Sequence, residues 1–579
     1  MLFGKATAAS ATAATTATAS ASSAAPPRSA REFDAIVYGA TGFTGRLVCE
    51  HLARDYSGRP SLPASARPSA APGLPAADAA PPPPTAPKTA SANAPVRWAM
   101  AGRDPAKLSA LAADLATRVW GDAALASEVP LIVADAHDAP ALAAMAARGK
   151  VVLSTAGPYA KYGDAVVDAA VGAGTHYADL AGEVLWARRV ADRLHARAAA
   201  SGTKVVCSSG YDSVPSDLGA WMAADALLRR AEEKGGGKGG KGGAGVGLVR
   251  GRATRVVTVV GAAKGGFSGG TVHSGLNMIK AEDPAEVARA SKDPYYLSHG
   301  VAPFGAGSAE GRLPPRVDAP APWGPARTPD AARAAALVAG VSASASASAP
   351  PVASPYLAPF VMAAINQKVV HKSEALWRLR EAGSAGGAGS AGVSRPSPFS
   401  PRGLTYLEAM GVPSYPAAAA LAGAFFGVGT LFALKPLRAL AERYVLPAPG
   451  QGPSRELMVG GFWNHVTFAV ADEDEEGGEE GAGAGGAAAG AGARKASAPA
   501  MAVAVLADSR DPGYFGTARM LLETGLCMAL DETACAEAGA LAGGCLTATT
   551  ATGGAPLVRR LRAAGLRAEV VAVSGEGAE

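Results

Sequence analysis

The stretch YGATGFTGR, at positions 38–46, places glycines three residues apart directly after the apolar run FDAIVY. Without side chains, Gly39 permits a sharp turn, Gly42 lets a phosphate approach the backbone, and Gly45 lets a helix pack closely on a strand. A helix that starts here offers free N–H groups and the positive end of its dipole to an anion. The spacing suits either a simple tight loop or a pyrophosphate site. The residues of that site would be Gly39, Thr41, Gly42, Phe43, Thr44 and Gly45.

The end of the second apolar run bears on the choice of dinucleotide. There the sequence reads AGRDP, with Arg103 at the position that follows the run. An arginine can pair with the extra phosphate of NADP, whereas an acidic residue would bind the ribose hydroxyls of NAD. Arg103 therefore favours NADP (NADPH), although an ordinary exposed arginine would look the same. Asp135, after the third run, is predicted either to touch the adenosine side or to cap the next turn.

The fourth apolar run, VVLSTAGPY, ends in small residues that would let the backbone approach a nicotinamide ribose. The residues predicted to contact the cofactor there are Ser154, Thr155, Ala156, Gly157 and Pro158.

Hydride transfer usually requires a proton donor beside the reacting carbon. The candidates that follow the strand ends are Tyr159, Lys161, Tyr162, His176, Asp179, Glu183, Tyr211 and Asp212. Tyr159 is the first choice because it directly follows the predicted nicotinamide loop, but it could also be a packing aromatic. Asp179 and Glu183 are the next choices for catalysis, and they could instead cap the following helix.

Six short apolar runs, separated by segments with helical spacing, would position these residues. The runs are FDAIVY, VRWAMAG, VPLIVAD, VVLSTAGPY, THYADL and TKVVCSS. Short apolar strands that alternate with amphipathic helices are typical of a parallel sheet covered on both faces. The pattern predicts the α/β class, with a Rossmann-type doubly wound domain over residues 32–209 and a disordered insertion at 55–94. On the first strand of such a domain, the glycine turn is interpreted as a dinucleotide site.

Composition and charge exclude several classes of protein. Lys and Arg total 54 against 49 Asp and Glu, and a net charge of +5 is too mild to predict nucleic-acid binding. The five cysteines form no CxxC pair, so the sequence predicts neither a metal site nor a disulfide framework. Gly-, Ala- and Pro-rich stretches in the second half of the chain are predicted to be solvated insertions.

Several blocks together resemble the saccharopine dehydrogenase-like oxidoreductases, and more narrowly the branch with the trans-acting enoyl reductases. The blocks include YGATGFTGR, AGRDPAKL, STAGPYAKYGDAVVDAAVGAGTHYADLAGE, SGYDSVPSDLG and DPGYFGTARMLLETGLCMAL. The resemblance implies a second α/β domain over residues 210–579, with strands such as ATRVVTVVGAAKG and ELMVGGFWNHVTFAV. It also implies hydride transfer from a nicotinamide cofactor. Eukaryotic members of this branch are associated with lipid droplets and membranes.

Two segments bear on location in the cell. Residues 415–434, YPAAAALAGAFFGVGTLFAL, carry no charge and are followed by Lys435, Arg438 and Arg443. The segment could attach to a membrane or lipid-droplet surface, span a membrane, or lie in the core. The extension 1–31 has no acidic residue and could be a mitochondrial or plastid transit peptide or a disordered extension.

The function predicted from these features is NAD(P)H-dependent reduction of a hydrophobic, lipid-derived substrate of the enoyl type, at a membrane surface. A homodimer is compatible with the sequence. One alternative is a non-catalytic membrane or lipid-droplet protein that binds NADP. The other is a saccharopine dehydrogenase of lysine metabolism, whose dicarboxylic substrate would require several convergent Arg or Lys side chains.

Overall fold

The computed structural model describes residues 26–59, 61, 95–235, 251–265, 283–301, 356–385, 396–401, 403–444, 452–471 and 500–574. The predicted extension falls mostly outside these residues, as do most of the insertion at 55–94 and the low-complexity stretches of the second half.

The first half of the chain alternates strands and helices as the apolar runs predicted. In chain order the elements are β1 (Phe33–Tyr38), α1 (Phe43–His51), β2 (Trp98–Gly102), α2 (Pro105–Leu115), β3 (Leu131–Val133), α3 (Ala139–Arg148), β4 (Gly149–Ser154), α4 (Tyr159–Gly172), β5 (His176–Asp179), α5 (Val184–Ala200) and β6 (Lys204–Val206). Asp104 caps α2 by accepting a hydrogen bond from the Lys107 N–H at 3.1 Å, with Pro105 in the first turn. This local signal was readable in the sequence.

The strands of the first sheet lie in the order β3-β2-β1-β4-β5-β6, and every pairing is parallel. This is the order of a Rossmann-type doubly wound domain, whose topological switch point lies between β1 and β4. The central strands are buried along almost their whole length because helices cover both faces of the sheet. All six residues of β1 are buried, for example.

The second half of the chain builds a second α/β unit around a mixed sheet. Its elements in chain order are α6 (Val214–Gly235), β7 (Arg255–Lys264), α7 (Pro284–Lys292), β8 (Tyr356–Ala358), α8 (Ala363–Ala385), β9 (Thr405–Val412), α9 (Tyr415–Ala433), α10 (Lys435–Tyr444), α11 (Arg455–Val459), β10 (Phe462–Ala471), β11 (Ala500–Asp508), α12 (Thr517–Leu530), α13 (Glu532–Glu537), β12 (Gly544–Leu546), α14 (Ala548–Thr552), α15 (Ala555–Ala563) and β13 (Arg567–Ser574). The strand order is β13-β11-β10-β7-β9-β8, and α6 packs across this sheet.

The chain returns to the first sheet near its end. β12 pairs in parallel with β6 and becomes a seventh strand, and α12 packs on β1, β4 and β5. The sequence-based division after residue 209 placed both elements in the second domain, and the structure corrects this for β12 and α12. The physical reason is that β6 would otherwise be an open edge and the face under α12 would be bare. Thirteen of the 14 residues of α12 are buried.

The apolar segment at 415–434 forms α9, which runs into α10 at Leu434. Several large apolar side chains on these helices are exposed, with Phe426 at 75%, Leu440 at 56% and Tyr444 at 69%. Contacts to β8 and β9 hold α9 against the second sheet. Among the described helices, none combines the length and the apolar character needed to cross a membrane.

Candidate active site

The glycine turn between β1 and α1 has the shape that the spacing predicted. Gly39 lies in the left-handed region with φ of +78°, where a side chain would be strained. A Cβ on Gly45 would lie 2.3 Å from the Gly39 carbonyl oxygen, so only glycine fits at this position. Gly42 occupies the N-cap of α1, and no side chain caps the first turn. Among the described residues, the first N–H groups of α1 therefore have no side-chain acceptor, which suits a phosphate.

The other predicted residues of the turn, Thr41, Phe43 and Thr44, differ in the contacts that their side chains make. Thr41 and Thr44 are half-buried, and their hydroxyls make no hydrogen bond among the described residues. The Phe43 ring packs edge-on against Tyr514, with 4.9 Å between ring centroids. Tyr514 belongs to a short helical turn, Pro512–Gly516, so the end of the chain covers one side of the turn.

The loop after β4 is hydrogen-bonded to the end of β1 and to the glycine turn. The Thr155 N–H donates to the Tyr38 carbonyl at 2.9 Å, and its hydroxyl lies 3.1 Å from the carbonyl oxygens of both Tyr38 and Gly39. Ser154 is fully buried and Ala156 is half-buried, whereas Gly157 is exposed to solvent. Small residues here leave the carboxyl end of β4 accessible beside the turn, as the cofactor prediction requires.

Arg103 lies at the carboxyl end of β2 with its side chain exposed. Within the part of the chain that the structure describes, its guanidinium has neither a hydrogen bond nor an ion pair. Burial, and then the nearby Asp135 carboxylate, raise the pKa of Tyr38 to about 12, while Arg103 acts in the opposite direction. These three side chains are thus near enough to interact electrostatically at the ends of β1, β2 and β3, where an adenosine would lie.

Asp135 also makes a local turn. Its Oδ1 accepts a hydrogen bond from the His137 N–H at 2.9 Å, and its carbonyl accepts one from the Asp138 N–H at 3.0 Å. Asp138, rather than Asp135, caps α3.

Tyr159, the first choice for proton donor, bridges two strand ends. Its hydroxyl donates to the Ser154 carbonyl at 3.0 Å and accepts from the Leu180 N–H at 3.2 Å. Burial holds the pKa of this phenol well above its ordinary value. A buried hydroxyl with both bonds made favours a role in fixing the spacing of β4 and β5 over proton transfer.

The Glu183 carboxylate caps α4 rather than the helix that follows it. Its oxygens accept hydrogen bonds from the Tyr159 and Ala160 N–H groups at 2.8 and 2.7 Å. At the start of α5, Glu183 is the N-cap residue but makes no side-chain capping bond there. The sequence expectation of a cap on α5 was wrong, because the chain folds Glu183 back onto the helix that precedes it.

Asp179 ties β5 to β6. Its Oδ1 accepts hydrogen bonds from the Ala181 N–H at 2.9 Å and the Ser208 N–H at 3.1 Å. Burial raises the pKa of this carboxyl to about 6. The bonds made by Asp179, Glu183 and Tyr159 all favour positioning roles.

A second polar cluster lies between the two sheets. It consists of Tyr211, in the loop after β6, His465 on β10 and Glu408 on β9. The Tyr211 hydroxyl is 3.0 Å from His465 Nε2, and His465 Nδ1 is 3.9 Å from Glu408 Oε1. Tyr211 was among the sequence candidates, but His465 and Glu408 were not. The only feature of the sequence that could have pointed to His465 and Glu408 is the ionisable side chain inside each of two largely apolar strands, FWNHVTFAV and TYLEAMGV.

Comparison with known proteins places this chain in a family. A putative trans-acting enoyl reductase from Mycobacterium tuberculosis is 30% identical over 548 residues, which cover 93% of this chain and 97% of that protein. A trans-acting enoyl reductase from Mycobacterium bovis is 30% identical over 545 residues, with the same coverage. The chain belongs to the saccharopine dehydrogenase-like oxidoreductases. Within that family it lies on the branch of the trans-acting enoyl reductases.

The cofactor of this saccharopine dehydrogenase-like oxidoreductase is NADP. Residues 84–206 match the family model of the saccharopine dehydrogenase NADP binding domain. That stretch contains Arg103, Asp135 and the loop after β4, and it begins after the glycine turn. An open cradle at the turn and an unpaired guanidinium at the end of β2 fit a dinucleotide with an extra phosphate.

A solved structure of apo saccharopine dehydrogenase (L-Glu forming) from Saccharomyces cerevisiae covers 93% of this chain and 100% of that one, at 14% identity and a TM-score of 0.37.

Proposed function

We propose that this oxidoreductase uses NADPH to reduce an enoyl group on a hydrophobic, lipid-derived substrate. The observation that carries the proposal is the 30% identity to trans-acting enoyl reductases along 93% of the chain. The glycine turn and Arg103 support it, because they supply the features that an NADPH-dependent reaction needs.

In this proposal, NADPH supplies the hydride when it is bound. The N–H groups at the start of α1 would hold the pyrophosphate, and Arg103 would pair with the 2′-phosphate. The loop at residues 154–158 would lie beside the nicotinamide at the end of β4. Tyr159 and Glu183 keep that loop and the start of α4 in register with β5, so that a substrate carbon can be held close to the hydride.

The test is NADPH oxidation by the purified full chain with α,β-unsaturated acyl lipids, and mass analysis of the saturated product. The saturated lipids serve as the control substrate. Turnover with an unsaturated lipid is the expected result. Oxidation of saccharopine with NADP⁺, in place of lipid reduction, would select the saccharopine dehydrogenase alternative. Tight NADPH binding without turnover on either substrate would select the non-catalytic alternative.

We also propose that α9 and α10 dock the protein onto an anionic phospholipid surface. The exposed Phe426, Leu440 and Tyr444 support this, since large apolar side chains in water are costly unless a partner covers them. Arg438 and its basic neighbours in the sequence, Lys435 and Arg443, complement anionic headgroups.

Flotation with vesicles tests the docking proposal. The full chain is expected to float with vesicles that contain phosphatidylserine and to float less with phosphatidylcholine alone. Phe426→Asp should reduce flotation several-fold, whereas Val133→Asp, at an exposed apolar residue of β3, should not. Equal flotation of the two variants would refute docking through α9 and α10.

A further inference from the structure

We infer that Tyr211 donates the proton that completes the reduction, and that His465 and Glu408 position and reload it. The inference rests on the proposed enoyl reduction and names the proton path of that same site. It replaces Tyr159, whose hydroxyl is used between β4 and β5.

Tyr211 lies at the edge of the first sheet where the cofactor loop ends. The chain reaches it through Ser209, whose N–H donates to the Asp179 carbonyl at 2.7 Å. A Cβ on the next residue, Gly210, would lie 2.8 Å from both Leu180 and Thr517, so the backbone passes tightly between β5 and α12. The Tyr211 N–H then donates to the Thr517 hydroxyl at 3.1 Å. Leu180 is also the residue that binds the Tyr159 hydroxyl, so Tyr211 shares the edge with the nicotinamide loop.

Side chains of the second sheet contact the Tyr211 ring and hydroxyl. Its ring packs against Trp463 and His465 with centroid distances of 5.2 and 5.3 Å, both near edge-on. Its hydroxyl lies 3.0 Å from His465 Nε2. The phenol is therefore fixed at the boundary between the NADP-binding sheet and the second sheet, with one hydrogen-bond partner behind it.

Glu408 continues the path behind the imidazole. Its Oε1 lies 3.9 Å from His465 Nδ1 and accepts a hydrogen bond from the Ser216 hydroxyl at 2.7 Å. The side chains of both His465 and Glu408 are fully buried. A separation of 3.9 Å closes to a hydrogen bond by a small side-chain shift or through one water molecule.

The protonation states suit a relay. Burial lowers the pKa of His465 to about 3 and raises that of Glu408 to about 7. The imidazole is therefore neutral at physiological pH, while the carboxyl carries its proton below about pH 7. Ser216 and Asn366, from α6 and α8, face Glu408 as neutral partners. Tyr211 and Tyr406 are the phenols that interact with it, and Asp212 also interacts with Tyr211.

The reaction balances as follows. The hydride of NADPH forms the C–H bond at the β carbon while the C=C π bond breaks, and NADP⁺ results. The electron pair of that π bond takes the Tyr211 hydroxyl proton at the α carbon. The phenolate recovers a proton from His465 Nε2 while Nδ1 takes the Glu408 proton, which leaves the Nδ1–H tautomer and an ionised Glu408. One proton taken up from solvent at Nε2, with return of the Nδ1 proton to Glu408, restores the starting state.

The experiment compares the full chain with Tyr211→Phe and Glu408→Gln, using an unsaturated lipid that the wild type reduces. Tyr211→Phe is expected to lower kcat by about 100-fold or more, the range of a lost general acid, with Kd for NADPH within about twofold. The wild-type kcat should fall as pH rises through about 7, because Glu408 loses its proton. Glu408→Gln should remove that dependence.

Tyr295→Phe is the matched control, because Tyr295 belongs to another buried cluster with His371 and Glu374. It should leave kcat within about twofold. The ¹⁵N signals of His465 give a readout independent of turnover: they should report a neutral ring across pH 5–8 and move in Tyr211→Phe but not in Tyr295→Phe. Full turnover by Tyr211→Phe would overturn the inference alone. A wild type that reduces no unsaturated lipid would overturn the proposed function, and this inference with it.

Discussion

Three residues of the predicted cofactor site contribute shape or charge, and each can be changed separately. Gly45 has no room for a side chain, because its Cβ position lies 2.3 Å from the Gly39 oxygen and 2.8 Å from the Thr155 hydroxyl. Gly42 has more room, with its Cβ position 3.1 Å from the same oxygen. Arg103 contributes charge only, since its side chain is exposed and unpaired among the described residues.

At the residue scale, Arg103→Glu should remove the preference for NADPH over NADH. Loss of the guanidinium, and repulsion by the new carboxylate, should raise Kd for NADPH by about tenfold or more while Kd for NADH changes little. Calorimetric titration with both cofactors measures this. Arg289→Glu, a charge reversal at an exposed residue of α7, is the control and should alter neither value. An unchanged NADPH affinity in Arg103→Glu would remove Arg103 from the site.

Substitution of Gly45 should mainly lower stability, whereas substitution of Gly42 should mainly weaken NADPH binding. Gly45→Ala forces the turn apart and is expected to cost about 2 kcal/mol or more of stability. Gly42→Ala should keep the free energy of unfolding within about 1 kcal/mol but weaken NADPH binding, since the new methyl group crowds the phosphate. Denaturant unfolding and calorimetry distinguish the two effects. Equal stability losses in both variants would contradict this division.

At the scale of elements, the start of α4 depends on a carboxylate from another part of the chain. Glu183 accepts two N–H groups there, at the positive end of the helix dipole. Glu183→Gln should therefore cost about 1 kcal/mol, because the amide carries no charge and accepts through one oxygen only. Thermal unfolding against Glu233→Gln, at an exposed residue of α6, measures the difference. No difference in melting temperature would mean that the cap contributes nothing.

At the scale of the whole molecule, the two sheets are interlocked rather than joined by a hinge. α12 and β12 belong by sequence to the second half but complete the first sheet. Glu50 on α1 is bound by Arg455 of α11 at 2.9 and 2.5 Å. Burial alone would raise the pKa of Glu50, but Arg455 holds it well below its ordinary value. At pH values above the ordinary carboxyl pKa, that ion pair therefore contributes to the free energy of unfolding. The contribution is lost as acid protonates Glu50.

Because α12 packs on the first sheet, a substitution in the last part of the chain should affect NADPH binding. Gly525 of α12 packs on β4, and its Cβ position is 2.2 Å from Leu153. Gly525→Val should push α12 off the sheet, lower the melting temperature of a single unfolding transition and weaken NADPH binding. Gly172→Val, at a position where a Cβ would meet nothing within 4 Å, is the control for loss of helix propensity. Unaltered NADPH binding in a destabilised Gly525→Val would show that the two halves are uncoupled.

The sequence by itself determined the local elements and the shape of the glycine turn. Apolar runs report strands that are buried on both faces, and Asp104-Pro105 reports a helix start, because these signals act within a few residues. Glycine spacing after the first strand predicts the tight turn for the same reason, and the phosphate site at that turn stays a prediction. Only the tertiary structure decided that Tyr159 and Asp179 bind at strand ends, that Glu183 caps α4, and that β12 completes the first sheet. It also decided that Tyr211 lies beside His465, with Glu408 behind the imidazole. The Tyr159–Glu183 and Tyr211–His465 contacts, for example, join residues 24 and 254 positions apart, and such pairings depend on packing that no local pattern encodes.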